Sequence, residues 1–597
     1  MEKETIDRIN FSFEKAINST SNSPLMPKAK DFSFIPKKKN TESKEVVSLF
    51  EKRKEAAKKW LKNKDNFALL SIITLAIVIR LYYFWLTKSQ ALWWDEADYL
   101  AYAKTLAGMG TNWIATSQHN SIFSYIVAFF FKLGFSESII KFILEIVPSV
   151  LLVFLTYKIS EKIYKDKKIA IISSFIMAVF WNILFNSMRF HLGAPALLFA
   201  FLAVYVFFIG YEKKEKIFGK ISSNWAIPMA AIFTIISYAL RRNYAFFGIF
   251  FLVYMISTKK ITTLVKDKYN WIALGISAAL LFLTEKFIFI SSVGGVASEY
   301  YHPELAINWV HIQFLTLFFQ GGTLLSSIFL WLSILGLIVI ASRLLLTLDC
   351  IRKKDNIEIK FDLFLMISLI ITMAYFIFVQ RDTSIGEARW YFPILLASLI
   401  FVSKGAIFIS DQFKKYNKHL SIIILFLLII IGGYYQIEHA DQVIKVKIPS
   451  YAGIRDAGLK IQEISSPEDV IISSSVTQAA YYSERTVVHF SDIAKLHSEK
   501  EFEETLGHLE ENSSIKYIAI SFSEPNNPKW ARNEAVEYAR DANGQIVRLR
   551  WEVPFMDTVI NFQTGEQRIL EEKSYGSITF KLVSIEQDVF IYEIIRS

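Results

Sequence analysis

The segment Trp93-Trp94-Asp95-Glu96-Ala97-Asp98-Tyr99 sets three carboxyl side chains within four positions, directly behind two tryptophans. A carboxylate at a water–lipid boundary is partly desolvated, which makes it a better base than one in bulk water. Asp95 is the candidate general base, and Glu96 the candidate that orients Asp95 or its substrate. The same residues also admit a structural reading. Trp93 and Trp94 would be interfacial anchors, and Asp95 the N-cap of a helix running through Ala107.

Arginines supply the second half of a possible chemistry. Arg80, Arg189, Arg241, Arg242, Arg381 and Arg389 all fall at or near one end of apolar segments, the end away from the basic loops. Arginine in that position is costly and calls for an anionic partner. Phosphate is the natural one, because the guanidinium fork matches its oxygens. Each arginine alone also fits a structural ion pair or snorkelling. His119, His191, His302 and Glu299 belong to the same side and could contact an acceptor or, with Asp95 or Glu96, a divalent metal. Nothing in their spacing demands a metal, and no cofactor is required by any motif. The chain has no Walker A loop, dinucleotide fingerprint, HExxH or Gly-x-Ser-x-Gly, which removes support for ATP-driven transport and for protease or lipase chemistry. A single cysteine, Cys350, excludes a disulfide framework and a cysteine-based metal site.

The elements that must carry these residues are membrane spans. Of 597 residues, 53% are hydrophobic, and the mean hydropathy is +0.33. Apolar runs near 20 residues match a hydrocarbon core about 30 Å thick. About eleven such spans are expected, near 67–87, 139–157, 169–187, 192–210, 225–240, 244–257, 270–290, 324–345, 362–380, 389–405 and 420–435. The loops 158–168, 211–220, 258–268, 346–360 and 412–419 are basic, and an odd span count puts them all on the side of the basic N-terminus. By the positive-inside pattern that side is the cytoplasm. The net charge of +10 therefore reads as topology, not as nucleic-acid binding. The sequence predicts a multi-pass protein of the cell membrane with a cytoplasmic N-terminus.

The chain divides into three regions: 1–66, a basic cytoplasmic tail without a signal-peptide core, disordered over its first part and helical over 44–63; 67–435, the membrane module; and 436–597, an extracytoplasmic α/β domain. Residues 121–134 are too short to span and suit a helix lying at the interface. Beyond 436 the apolar runs shorten to strand length at Val470–Ser473, Thr486–Phe490, Ile515–Ile520 and Val589–Ile595, with a helix at Ser498–Glu511.

In order and membrane placement these features resemble the GT-C polyprenyl-phosphate-sugar glycosyltransferases, in particular the protein O-mannosyltransferase and aminoarabinose-transferase group. The matching points are Arg80-Leu81, Asp95-Glu96, Tyr99, the stretch 121–134 ending Lys132-Leu133-Gly134, the span 139–157 before a short basic loop, and Arg389-Trp390-Tyr391 with Pro393. Ala480-Tyr481-Tyr482-Ser483-Glu484-Arg485, after a strand, resembles outer domains appended to such enzymes. Two points depart. Gln118-His119-Asn120-Ser121 stands where many members carry a His-Pro-Pro-like turn, and the pair Arg241-Arg242 stands where a lysine is frequent.

The resemblance implies a GT-C fold and a sugar donor carried on a polyprenyl monophosphate. It implies transfer with inversion to a protein, lipid or glycan hydroxyl on the extracytoplasmic face. Asp95 would be the base, Glu96 its orienting partner, and Arg242 and Arg389, with Arg241, Arg189 or Arg80, the holders of the donor phosphate. The competing reading is a transporter or flippase of a lipid-linked or anionic substrate; it accounts for the arginines but not for the Asp-Glu loop. A receptor whose C-terminal domain binds a ligand is the third.

Overall fold

The computed structural model describes residues 51, 54–55, 58–109, 122–164, 166–288, 307–320, 323–347, 356–379, 387–496, 498–521, 524, 527–528, 530 and 572–597, and the strand segments 538–540, 546–548, 551–553, 556–561 and 566–569. The chain divides into residues 1–66 and 67–597. In the first unit the described part of the basic stretch is helical and exposed, with Lys54 3.7 Å from Glu51.

In chain order the helices are α1 (Lys64–Thr87), α2 (Trp94–Ala107), α3 (Ile122–Lys132), α4 (Glu137–Tyr164), α5 (Lys167–Val179), α6 (Trp181–Ser187), α7 (Gly193–Glu212), α8 (Ser223–Leu240), α9 (Phe246–Thr258), α10 (Lys268–Phe287), α11 (Ile328–Thr347), α12 (Ile357–Phe378), α13 (Ala388–Lys414) and α14 (Lys418–Lys447). Among the described residues eight helices are long and apolar enough to cross a bilayer, or nine if the bent pair α5–α6 is one span. The sequence led us to expect about eleven. The two remaining runs are helical, but α9 has only 13 residues and α10 carries Lys268, Glu285 and Lys286.

Close helix contact depends on small residues where backbones meet. At the crossing of α11 and α13, a Cβ on Gly336 would lie 1.8 Å from the carbonyl oxygen of Phe401, and one on Gly405 would lie 2.0 Å from that of Leu332. Both positions exclude any side chain.

The break between α5 and α6 decides where two of the arginines go. Phe180 is extended (φ −61°, ψ 114°), and the two helices meet at 47°. The carbonyls freed at the end of α5 need donors, and Arg80 of α1 provides them. Its guanidinium donates to Ala178 O at 2.9 Å and Met177 O at 3.5 Å, and to Ser149 Oγ at 2.8 Å. After α6 the chain turns through Leu192, a non-glycine residue at φ +60°, whose N–H donates to the buried Glu145 carboxylate of α4 at 2.9 Å.

Helix α14 runs on to Lys447, beyond the apolar run that ends at Tyr435. Its buried stripe Gln436, Ala440, Ile444 continues at four-residue spacing. Then come α15 (Ala452–Ile464), β1 (Val470–Ser473), α16 (Val476–Ser483), β2 (Thr486–Val488), α17 (Glu501–Glu511) and β3 (Ile515–Ser521). Strands β4 (Tyr538–Arg540) and β5 (Ile546–Arg548) pair with each other, and β6 (Trp551–Val553), β7 (Met556–Asn561) and β8 (Glu566–Ile569) form a three-stranded sheet. Strands β9 (Glu572–Tyr575), β10 (Ile578–Glu586) and β11 (Val589–Arg596) complete a six-stranded sheet of order β2-β1-β3-β11-β10-β9. It is parallel across β2-β1-β3 and antiparallel beyond. Alternate residues serve two faces: Ile472, Ile518, Phe580 and Ile594 fill one core, while Ile471, Tyr517, Ala519 and Ile591 meet α15 and α16 on the other.

Candidate active site

Asp95 and Glu96 sit in the first turn of α2, not at its cap: the helix starts at Trp94, and Trp93 holds the cap position without a side-chain bond. From there the two carboxylates diverge. Glu96 is buried and accepts from Arg189 Nε at 2.5 Å. Asp95, 31% exposed at its side chain, lies 3.3 Å from Arg389 Nη1.

Four stretches far apart in sequence thus converge. The turn after α6 brings Arg189 and His191, the break after α8 brings Arg241, and the tight helical start of α13 (Ala388–Ile394) brings Arg389. Tyr391 of that start is fully buried and shares a 2.5 Å hydrogen bond with His311 Nδ1, which fixes the segment carrying Arg389.

His191 is the hub. Arg389 Nη1 donates to its Nδ1 at 2.6 Å, so that nitrogen must be unprotonated and the ring proton sits on Nε2, which faces Glu96 Oε1 at 3.8 Å. The His191 carbonyl accepts from Arg241 Nη1 at 3.1 Å. Burial holds the His191 pKa well below the ordinary imidazole value, and the charges of Arg389, Arg189 and Arg241 press it the same way. Burial also lowers Arg189 to about 10, against the pull of Glu96, and it stays a cation at neutral pH. The Tyr99 phenol, beside Asp95, Arg241 and Arg389, is pushed up chiefly by burial.

Donor capacity is left over. Arg189 lies with its guanidinium carbon 3.0 Å from the Trp93 ring centre, and both its terminal nitrogens are buried without a hydrogen-bond partner among the described residues. Arg241 has no carboxylate within ion-pair distance among those residues. Beside the cluster opens a cleft of about 570 Å³, lined by Trp93, Trp94, Asp95, His191 and Arg389 together with Asn182, Asn186, Gln320, Tyr451 and others. A second cavity of similar size adjoins it through Leu317, Gln320 and His439, with Tyr435, Glu438 and Gln442 on one face of α14.

Three comparisons bear on this arrangement. The family model described as dolichyl-phosphate-mannose-protein mannosyltransferase matches residues 118–286. No curated protein sequence matches the chain. Among solved structures, the archaeal oligosaccharyltransferase AglB from Archaeoglobus fulgidus, in complex with an inhibitory peptide and a dolichol-phosphate, superposes with a TM-score of 0.55 at 12% identity, over 82% of this chain and 74% of its own. ArnT from Cupriavidus metallidurans does so at 0.52 and 9% in its apo state, over 78% and 93%, and at 0.50 and 10% bound to undecaprenyl phosphate, over 76% and 92%. The chain has the GT-C fold. At these identities the likeness is one of fold, and the residues must speak for themselves.

Within the GT-C fold the sequence candidates separate. Asp95, Glu96, Arg189, His191, Arg241 and Arg389 form one group. Arg80 does not join it: it lines neither cavity, and its donors go to Ser149 and the end of α5. Arg242 starts a short tight turn, Arg242–Ala245, and does not line the cleft. His119, His302, Glu299 and Arg381 lie outside the described residues. Among the described residues no three His, Cys, Asp or Glu side chains are grouped to hold a metal. Sequence reasoning missed Asn182, Asn186 and Glu387. The asparagines carried a signal: two amides four residues apart within an apolar span.

Proposed function

We propose that this GT-C chain is a membrane glycosyltransferase that moves a sugar from a polyprenyl-phosphate donor to an acceptor hydroxyl on the extracytoplasmic face, with inversion. The observation that carries the reading is the cluster itself: Asp95, an accessible carboxylate 3.3 Å from Arg389, shares the wall of a cleft with Glu387, which also binds Arg389, next to buried terminal nitrogens of Arg189 that lack partners among the described residues. AglB with dolichol-phosphate and ArnT with undecaprenyl phosphate add support of the same kind, since both neighbours are described with a polyprenyl phosphate.

In this reading the acceptor hydroxyl attacks the anomeric carbon as Asp95 takes its proton. The bond between that carbon and the phosphate oxygen breaks, and polyprenyl phosphate leaves with one more negative charge. Arg389, Arg241 and the unpartnered end of Arg189 meet that charge as it grows, which is where preorganised donors act most strongly. Glu96 holds Arg189 and faces His191, so its role is to orient the cations. The adjoining cavity, rich in hydroxyl and amide groups, gives the acceptor a way in.

The test uses purified protein in vesicles made from the membranes of its source cells, which contain the acceptor, supplied with labelled undecaprenyl- or dolichyl-phosphate sugars. Free polyprenyl phosphate and a labelled product are expected. Asp95→Asn should lower the rate by about 10²–10⁴-fold with the protein still inserted and folded. Donor that is moved across the bilayer intact would establish the transporter reading instead.

A further inference from the structure

The outer-domain motif Ala480–Arg485 takes no part in the transfer chemistry, yet it touches the chain three residues before Asp95. Leu92 is buried and lies outside any helix or strand, so its backbone N–H and C=O need partners from elsewhere. Both come from α16. The Leu92 N–H donates to the Tyr482 hydroxyl at 2.8 Å, and its carbonyl accepts from Gln478 Nε2 at 2.9 Å. Two side chains nearly four hundred residues downstream thus mimic one rung of a β-ladder.

The grip continues along the loop. Tyr451, just before α15, packs edge-on against Trp93 with ring centres 5.6 Å apart. The buried carboxylate of Glu524, after β3, lies beside Trp94. At the other end of α2, Lys104 sits 4.0 Å above the Tyr481 ring and 3.8 Å from Glu484, while the Tyr481 hydroxyl donates to Glu137 at the start of α4. Helix α16 therefore holds α2 at both ends.

We propose that α16 is a positioning element: Tyr482 and Gln478 set the place of Asp95 through Leu92, so the C-terminal domain is a working part of the active site. This rests on the glycosyltransferase reading for its kinetic consequence, but not for its structural one. Loss of both bonds would leave the Leu92 backbone without a partner among the described residues and free the lead into α2 to shift, with Asp95 carried along in its first turn. Misplacing a reacting group by about 1 Å can cost about a hundredfold in rate, and a partial loss of one rung should cost less.

The deciding variant is Tyr482→Phe, which keeps the ring and removes the acceptor; Gln478→Leu is the second, should the first be compensated by Gln478. In full-length protein reconstituted in the same source-cell vesicles, each should lower kcat for release of polyprenyl phosphate about tenfold while KM for the donor moves less than about twofold. Amide exchange over residues 92–99 should rise about tenfold, with that of α12 and α13 unchanged. Glu463→Gln, on the exposed face of α15 and outside the contact, should change both by less than about twofold. Unchanged kcat and unchanged exchange in both main variants would overturn the proposal, as would a loss of kcat that follows the loss of folded protein. If wild-type protein releases no polyprenyl phosphate, the transferase reading fails, and the exchange measurement still decides whether α16 holds the loop.

Discussion

Two buried ionic clusters in this chain are built from the same kinds of residue and end differently. One surrounds Asp362 of α12. Its carboxylate is fully buried and accepts from the Tyr164 hydroxyl at 2.6 Å, Arg343 Nη1 at 3.2 Å and Lys404 Nζ at 3.4 Å, and Arg343 also reaches Glu358 at 3.2 Å. The other surrounds His191 and Arg389. Both draw on helices remote in sequence, and both contain arginine, a carboxylate and a neutral polar ring. In the Asp362 cluster both carboxylate oxygens are occupied, and neither cavity is lined by its members. In the His191 cluster the Arg189 terminal nitrogens are left over, and Asp95, His191 and Arg389 open onto a cleft. Closure marks a tie between helices. A surplus of buried donors beside an open cleft marks a place that expects an anion.

That contrast can be broken most sharply at Asp362. Removing one partner of a buried ion pair leaves the others uncompensated and costs about 3–5 kcal/mol. Asp362→Ala should show that loss in thermal unfolding of the purified protein, with turnover per folded molecule unchanged. A variant that folds normally and loses activity would mean that the Asp362 cluster is not a mere tie. Arg389→Ala should do the reverse. Loss of a preorganised donor to a leaving group costs about 2.7–4 kcal/mol in the transition state, or about 10²–10³ in kcat. Affinity for undecaprenyl phosphate, measured by binding to the same vesicles, should fall as well, while unfolding shifts less than in Asp362→Ala.

The difference between the clusters was only partly visible in the sequence. Arg80 and Arg189 read alike there, as single arginines at the ends of apolar runs. What separates them is the break at Phe180, which frees carbonyls that take up Arg80, and the left-handed turn at Leu192, which aims Arg189 and His191 at α2. Neither is encoded by glycine or proline, so no local pattern announced them. Elements with a strong periodic signal were legible: Val470–Ser473 is a strand over the expected residues, and the stretch expected to be a short helix over 121–134 holds the helix Ile122–Lys132. One reading of the sequence put Asp95 at the helix cap, but the helix begins two residues sooner, with Trp93 at the cap and pinned between Arg189, Phe185 and Tyr451. Tertiary packing outweighed capping preference.

The smallest effect lies at the hub and is one of pH. His191 is neutral in the folded protein because burial and three neighbouring arginines oppose its protonation. In the unfolded chain it titrates near its ordinary value of about 6.5. Below that pH the unfolded state takes up a proton that the folded state refuses, so stability is whole above about 6.5 and declines as the pH falls, by up to about 1.4 kcal/mol per unit, until the depressed folded value is reached. His191→Asn removes this term. Melting temperatures of wild type and variant, compared from pH 7.5 down to pH 5 (about the range over which the unfolded imidazole gains its charge), should diverge at the neutral end and draw together at the acidic end. A constant gap across that range would mean that His191 is not held neutral by the arginines, and that the cluster carries less surplus positive charge than its unpartnered donors imply.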